Sequence, residues 1–328
     1  MKKKMAILMA GVLAMGMMAG CGSKAETAAP AANSGSETAE AAEGQISIGY
    51  SCVDMNNTFQ TYLVSAAQDK AAELDAAITV TDAQNDVVKQ QDQVKALIKQ
   101  GVDALIVVPA DSSAMEPITD AAADAGIPLV YVNVNPFTDM DNIPENCHFV
   151  GSYEHDAGVM QGEMVGEAIG EGKVAILQGG LEYEATYSRT QGNKDEFAEN
   201  YPNIEVVTEE TADWQRDKAI DVVKNWLTAY SDLAAICANN DEMALGAAAA
   251  LKDAGRTDVV VVGIDATIDG CAGVADGTLI GTVFQDSVGQ GGGAVEIAIE
   301  MVNGNAPAES VTWIPYVKVT TENVADYQ

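Results

Sequence analysis

Two neighbouring stretches decide the fold: ANNDEMALG at residues 238–246 and VVVVGIDATIDG at residues 259–270. Each joins an apolar run, which predicts a buried strand, to polar residues and then to a helical pattern. Ligands of parallel α/β sheets bind outside the carboxyl ends of the strands, so we expect Asn240 and Asp265 side by side at the mouth of a cleft. A carboxamide and a carboxylate together donate and accept hydrogen bonds, which suits an uncharged ligand rich in hydroxyl groups.

Helix capping is the simpler interpretation of the first tip. Asn240 and Asp241 stand where the helix begins, and Asn and Asp side chains commonly accept a backbone hydrogen bond there. Capping accounts for one of these two residues and leaves Asp265 unexplained. The sequence therefore predicts both a capped helix and a ligand site at this edge.

The same alternation of apolar runs and helical patterns covers the chain from residue 45 onward. Strands are predicted at 46–50, 78–81, 104–108, 129–132, 174–177 and 205–207, and a loop at 179–188. Helices are predicted at 58–74, 87–99, 115–125, 156–169, 190–200, 217–230 and 288–302. This order predicts an α/β protein with two doubly wound parallel-sheet halves and right-handed crossovers.

Composition excludes several functions. The 328 residues leave room for two domains, and 17 basic against 49 acidic residues give a formal charge of −32. Such a charge opposes binding to nucleic acid, which requires Lys and Arg at phosphates, and to an anionic membrane surface. It also favours a soluble monomer.

The N-terminus has the pattern of a bacterial lipoprotein leader. Three lysines at 2–4 precede an apolar stretch at 5–18, which is too short for an ordinary membrane span, and small residues precede Cys21. We expect residues 1–20 to be removed and Cys21 to be lipidated. Residues 21–44 lack large apolar side chains and are predicted to be a flexible tether. The alternative is an ordinary signal peptide with an incidental cysteine.

The two stretches that open this section resemble the type I periplasmic binding proteins for monosaccharides, the ribose- and glucose/galactose-binding proteins. The resemblance runs from about residue 45 to the C-terminus. It implies an N-terminal lobe of residues 45–150 and 286–315, and a C-terminal lobe of 151–285 and 316–328. It also implies three strand-like crossings, at 149–152, 280–285 and 316–319, which form a hinge.

The resemblance also implies the site. Polar groups of both lobes would bind sugar hydroxyls, and a ring from each lobe would cover an apolar face of the sugar. Asp265, or another acid, would pair with the buried arginine. The expected ligand-binding residues are Asn57, Phe59, Asn133, Arg189, Trp214, Asn240, Asp265 and Gln285. For Phe59, a place in the core of the first helix is the alternative.

The chain departs from both relatives in the resemblance. Asn133 and Val134 stand where the ribose proteins have an Asp-Arg pair. Ala185 and Tyr183 stand where the glucose/galactose proteins have an acid and a histidine, and their calcium loop has no counterpart. Trp214 matches the hexose proteins, so an aldohexose such as glucose or galactose is favoured over a pentose such as ribose or xylose.

Other reactive residues indicate no further chemistry. His148 and His155 lack neighbours at metal-ligand spacing, so we expect no metal and no cofactor. Four cysteines beyond the leader, Cys52, Cys147, Cys237 and Cys271, are widely spaced and are expected as buried thiols, although a disulfide is permitted outside the cytoplasm. The glycine-rich segment 289–293 has a helical pattern and lacks the lysine of a phosphate loop.

The function predicted from the resemblance is capture of a monosaccharide by a lipid-anchored extracytoplasmic protein, which delivers it to an ABC transporter permease. One alternative is a sensor that presents a sugar or a furanosyl signal to a membrane receptor. Another is a surface enzyme acting on carbohydrate, which would require a paired acid and base around a bond. A sugar-responsive repressor is excluded by the leader and by the absence of a basic DNA-binding head.

Overall fold

A computed structural model describes residues 44–140 and 142–328. The predicted leader, Cys21 and all but the last residue of the predicted tether lie outside the described residues. The described helices are α1 (Thr58–Glu73), α2 (Val87–Gln100), α3 (Glu116–Ala125), α4 (Glu154–Ile169), α5 (Glu184–Asn200), α6 (Arg216–Ala229), α7 (Asp241–Asp253), α8 (Ile268–Ala275) and α9 (Ser287–Val302). The described strands are β1 (Ser47–Cys52), β2 (Ala77–Asp82), β3 (Ala104–Val107), β4 (Leu129–Val132), β5 (Cys147–Gly151), β6 (Gly172–Gln178), β7 (Ile204–Thr211), β8 (Leu233–Ala238), β9 (Val260–Val262), β10 (Thr282–Phe284), β11 (Val311–Trp313) and β12 (Val317–Val319).

The first lobe is built on a six-stranded sheet in the order β11-β5-β4-β3-β1-β2, with every neighbouring pair parallel. Side chains of a strand alternate between the two faces, so β3 serves two cores. Ile106 packs into the core that contains α1 and α9 residues, and Leu105 into the core that contains α2 and α3 residues. Helices therefore cover both faces, as buried parallel sheets require.

The second lobe is built on a four-stranded parallel sheet in the order β7-β6-β8-β9. Strands β10 and β12 form a separate antiparallel pair. The chain passes between the two sheets after β5, after β10 and after β11, because β11 pairs with β5 while β12 pairs with β10. The two-lobed, doubly wound α/β fold is confirmed, whereas the residue limits of the lobes stay a prediction.

One predicted loop is wrong. Residues 184–188 belong to α5, which begins at Glu184 and not at residue 190. Thr186 is buried and donates a hydrogen bond of 2.7 Å to the Gly180 carbonyl. This bond connects the first turn of α5 to the loop that precedes it. Glu184 lies in the first turn, where a negative charge is favourable. Arg189 consequently projects from the second turn of a helix and not from a strand-end loop.

The remaining reactive residues have structural contacts. The four cysteines of the described residues are buried and free. His148 is buried and bonds Thr312 at 2.9 Å, while His155 lies 3.0 Å from Asp195. Across residues 44–140 and 142–328, no cluster of three potential metal-ligand side chains occurs, and no helix has the length and apolarity needed to span a membrane.

Candidate functional site

A cavity of about 480 Å³ lies between the two lobes, at the carboxyl ends of their strands. This volume falls within the range of small-molecule sites. The structure brings together at its lining all eight residues singled out in the sequence, namely Asn57, Phe59, Asn133, Arg189, Trp214, Asn240, Asp265 and Gln285. Their assignment as ligand-binding residues remains a prediction.

The first-lobe wall is formed by α1 and the end of β4. Asn57 caps α1 by accepting a hydrogen bond from the Gln60 backbone amide, and the Phe59 ring is only 5% exposed. Phe59 therefore lines the cavity and is also a buried residue at the start of α1. This position is compatible with both interpretations, a ligand contact and a core residue. Asn133 ends β4 with φ of +67°, a left-handed conformation that asparagine tolerates better than most residues.

A chain of carboxamides runs behind this wall. Gln60 Nε2 donates to Asn133 Oδ1 at 3.0 Å, and Asn133 Nδ2 donates to Gln290 Oε1 at 3.1 Å. Gln290 Nε2 then donates to Ser152 Oγ at 2.9 Å, next to the first crossing. The sequence analysis missed Gln60 and Gln290. The sequence feature that could have identified them is a glutamine on an otherwise apolar face of a helix, α1 for Gln60 and α9 for Gln290.

The second-lobe wall contains a buried ion pair. Arg189 Nε lies 2.6 Å from Glu154 Oε2, and both side chains are 5% exposed. Arg189 also donates to the Asn239 carbonyl at 2.7 Å and to Gln285 Oε1 at 3.2 Å. Of the two expected partners for Arg189, Asp265 or another acid, the structure shows the second. The hydrogen-bonded acid is Glu154, and Asp265 acts on the arginine only through its nearby charge.

Close packing of α4 against α5 brings this pair together. A side chain at Gly158 would overlap the Arg189 carbonyl, and one at Gly192 would overlap the His155 carbonyl. Only glycine permits this approach of the two backbones. Tyr316, which directly precedes β12, donates its hydroxyl to Glu154 Oε2 at 2.7 Å. The pair is thereby connected to the third crossing.

Asn240 performs the capping role considered in the sequence analysis. Its Oδ1 accepts from the Met243 amide at 3.0 Å, and its Nδ2 donates to the Trp214 carbonyl at 3.4 Å. Asp241 is fully buried and accepts from the Thr267 amide, the Thr267 hydroxyl and the Thr282 hydroxyl. Asp241 therefore joins the two strand tips to β10, and burial raises the pKa of its carboxyl to about 7.

Asp265, in contrast to Asn240 and Asp241, lacks side-chain hydrogen bonds to the described residues. Its side chain is 6% exposed, and its carboxylate accepts no hydrogen bond from any residue of 44–140 or 142–328. Its backbone φ of +121° is an unusual conformation for a residue with a side chain, and such strain concentrates at functional sites. Burial is the main cause that raises the pKa of Asp265 well above its ordinary range, followed by the charge of Asp241.

Two further polar groups at the cavity are buried without a partner among the described residues. Gln285 is 2% exposed, and its Nε2 is unpartnered, although its Oε1 accepts from Arg189. Gln60 Oε1, on the opposite wall, is likewise unpartnered. Buried polar groups are generally hydrogen-bonded, so these two side chains keep unused hydrogen-bonding capacity beside the cavity.

Aromatic rings and two hydrogen bonds close the cleft. Trp214 has φ of +63°, and its ring packs edge-on against Tyr183 with centroids 6.1 Å apart. Both rings also pack against the first-lobe core that contains α1 and α9 residues. Tyr183 donates its hydroxyl across the cleft to Asn85 Oδ1 at 3.0 Å. Thr58 donates to Glu242 Oε1 at 3.3 Å, again between lobes. The structure therefore represents a closed cleft.

Known proteins share this architecture and sequence. A family model described as "Periplasmic binding protein domain" matches residues 48–306. A Rhizobium meliloti protein named for rhizopine binding is 43% identical over 286 residues, which are 86% of this chain and 92% of that one. The ribose import binding protein of Bacillus subtilis is 31% identical over 95% of this chain and 97% of its own. A solved structure of a Bacillus halodurans ABC transporter solute binding protein with bound myo-inositol has a TM-score of 0.80 at 39% identity, and covers 88% of this chain and 99% of that chain.

Proposed function

Because the chain belongs to the type I periplasmic sugar-binding protein family, we propose that it captures one single-ring polyol in the cleft and delivers it to an ABC transporter permease. Members of this family are extracytoplasmic binding components of transport and not enzymes. The observation that carries the proposal is that buried polar residues of both lobes, Gln60, Asp265 and Gln285, line one cavity.

The proposed ligand has a six-membered ring with several hydroxyl groups. The sequence favoured an aldohexopyranose of the glucose or galactose type, and Phe59 and Trp214 on the lining supply rings for its apolar faces. Two of the relatives above are named for rhizopine and ribose, and the solved structure contains myo-inositol, so they favour no aldohexose in particular. A cyclitol offers the same flat ring and equatorial hydroxyls, and the 39% identical structure with bound myo-inositol supports including it.

Closure around the ligand supplies the proposed mechanism. Unpartnered groups of the two lobes are completed only when one ligand contacts both, so the ligand stabilises the closed form over the open form. Opening would break the Tyr183–Asn85 and Thr58–Glu242 hydrogen bonds but would leave the Arg189–Glu154 pair intact. The permease is proposed to bind the closed form.

We also propose that Cys21 carries a lipid that holds the protein, as a monomer, on the outer face of the cell membrane. The lysines, apolar stretch and small residues before Cys21 support this proposal. Cys21→Ala should release the protein from the membrane fraction while leaving ligand affinity unchanged. Retention of the variant at the wild-type level would contradict the anchor.

Isothermal titration calorimetry tests the binding function. The mature chain is titrated with glucose, galactose, myo-inositol, ribose and xylose. We expect one-to-one binding of a six-membered-ring polyol and weaker binding of the pentoses. Tight binding of ribose or xylose alone would overturn the proposed ring class, and binding of none of these polyols or their amino derivatives would overturn the proposed function.

A further inference from the structure

Negative charge dominates the cavity lining. Seven carboxylate side chains line the cavity, against two guanidinium groups. Both guanidinium groups already have carboxylate partners, because Arg189 pairs with Glu154, and Arg216 pairs with Glu242 and with Asp269. The site therefore offers no unneutralised cation among the described residues to an acidic sugar or a sugar phosphate.

Part of this negative charge has no counter-charge. Asp54, Glu184, Asp217 and Asp265 line the cavity and form no ion pair with a residue of 44–140 or 142–328. Asp54 accepts hydrogen bonds from the neutral groups of Asn56 and Asn85, and Asp217 is exposed to water. Asp265 differs from these, since it is more than nine-tenths buried and none of the described residues donates a hydrogen bond to its carboxylate.

A buried carboxylate without a donor or a counter-charge is unfavourable. A neutral polyol would supply hydroxyl donors but would leave the excess charge in place. An ammonium group supplies up to three donors and a positive charge at once. Burial, followed by the charge of Asp241, raises the pKa of Asp265, whereas the charge of Arg189 lowers it. An ammonium group held at this carboxyl would lower its pKa in the same way as Arg189 does.

We infer that the natural ligand is an amino polyol, with a protonated amino group held by the Asp265 carboxylate and ring hydroxyls held by the surrounding carboxamides. This inference rests on the proposed function and narrows its ligand class. It replaces the uncharged ligand expected from the sequence. Gln285 Nε2, the unpartnered donor next to the ion pair, would then bond a hydroxyl oxygen and not the ammonium.

Calorimetry with matched pairs tests the inference. Glucose is compared with glucosamine, galactose with galactosamine, and an inositol with the corresponding monoamino-inositol, all at neutral pH and two salt concentrations. Hydrogen bonds to charged groups exceed neutral ones by enough to predict that the amine of at least one pair binds about tenfold tighter. N-acetylglucosamine, which lacks the charge, should lose the advantage seen with glucosamine.

Each outcome of this comparison has one meaning. If the neutral member binds as tightly as the amine, or more tightly, in every pair, the amino-polyol inference is overturned while the proposed function stands. If no member of any pair binds, and ribose and xylose also fail to bind, the proposed function itself fails. A tenfold preference for an amine supports both.

Two isosteric variants locate the preference. Asp265→Asn removes the buried charge and should reduce the amine preference to less than about twofold. Asp221→Asn removes an exposed charge from α6, outside the cavity lining, and should leave the preference unchanged, because water screens it. Retention of the preference in Asp265→Asn, or its equal loss in both variants, would remove Asp265 from the proposed role.

Discussion

The two walls of the cleft differ in where they hold charge. Among the cavity-lining residues, every buried ionisable side chain belongs to the second lobe: Glu154, Tyr183, Arg189 and Asp265. The buried lining residues of the first lobe are Val53, Phe59 and Gln60, none of which ionises. The buried part of the first-lobe wall therefore offers neutral dipoles and a ring, with the carboxylate of Asp54 only partly buried, whereas the buried part of the second-lobe wall carries charges.

This difference follows from the requirement that the cleft opens. Separating the partners of a buried ion pair leaves each charge uncompensated, which is strongly unfavourable. Arg189 and Glu154 lie on the neighbouring helices α4 and α5, so their pairing does not depend on closure. The hydrogen bonds between the lobes, in contrast, each have a neutral donor, Tyr183 or Thr58. The buried ion pair stays within one lobe, and the two hydrogen bonds across the boundary are formed by neutral hydroxyl donors.

The largest expected effect comes from breaking the pair within the second lobe. Arg189→Met leaves the Glu154 carboxylate buried without its cation, and such a change destabilises by about 3–5 kcal/mol. We expect a large fall in the urea midpoint together with loss of ligand binding. The double variant Arg189→Met/Glu154→Met should recover much of the stability but no binding. An unchanged midpoint for the single variant would contradict the account of this wall.

Asp241, a buried carboxyl of the second lobe that does not line the cavity, tests the cost of burying a charge without an ion pair. Burial raises the pKa of this carboxyl to about 7, above its ordinary value in the unfolded chain. The folded state therefore holds the proton more tightly, so the contribution of Asp241 to stability is present below about pH 4 and is lost as pH rises through about 7. A shift of about three units corresponds to roughly 4 kcal/mol as an upper limit.

Asp241→Asn should remove this dependence. The asparagine oxygen can accept from Thr267, while its amide can donate to the Thr282 hydroxyl, so the junction of the strand tips survives. Urea unfolding measured between pH 4 and pH 8 should show a flatter profile for the variant than for the wild type. Identical profiles would mean that Asp241 keeps an ordinary pKa in its site.

The next largest effect is expected on ligand affinity, with little change in the stability of the fold. Asp265→Ala removes a carboxylate that accepts no hydrogen bond within the part of the chain that the structure describes, so the stability should be little changed. Two lost hydrogen bonds from ligand to a charged group predict at least about hundredfold weaker binding. Calorimetry measures the affinity, and far-ultraviolet circular dichroism checks the fold. An affinity equal to that of the wild type would exclude Asp265 from the site.

Much of this comparison could be anticipated from the sequence. The apolar runs and the polar residues that end them placed Asn240 and Asp265 at neighbouring strand tips, because parallel strands end at one edge of a sheet. The partner of Arg189 could not be found in this way. Glu154 lies 35 positions earlier in the sequence, and the two meet only because Gly158 and Gly192 let two helix backbones approach.

Two other features, the start of α5 and the chain of carboxamides, were not predicted from the sequence for related reasons. The start of α5 lacks a side-chain capping bond, so no local signal separated residues 184–188 from the preceding turn. Gln60 and Gln290 meet through Asn133, whose left-handed backbone aims its carboxamide between them. Tertiary contacts of this kind have no periodicity in the sequence, and therefore pattern analysis does not detect them.

The smallest expected effect concerns the neutral contacts between the walls. Tyr183→Phe removes the hydroxyl that bonds Asn85 across the cleft, and a single neutral hydrogen bond contributes about 1 kcal/mol, or roughly fivefold in affinity. Because this bond forms only on closure, the loss should appear mainly as faster ligand release in stopped-flow measurements. Tyr187→Phe is the matched control, since Tyr187 lies on the same helix but bonds the Leu181 carbonyl within its own lobe. Equal release rates for the Tyr183 variant and the wild type would show that the bond between the lobes does not help to hold the cleft closed, and the stability of the closed form would then rest on the ligand and the packed rings.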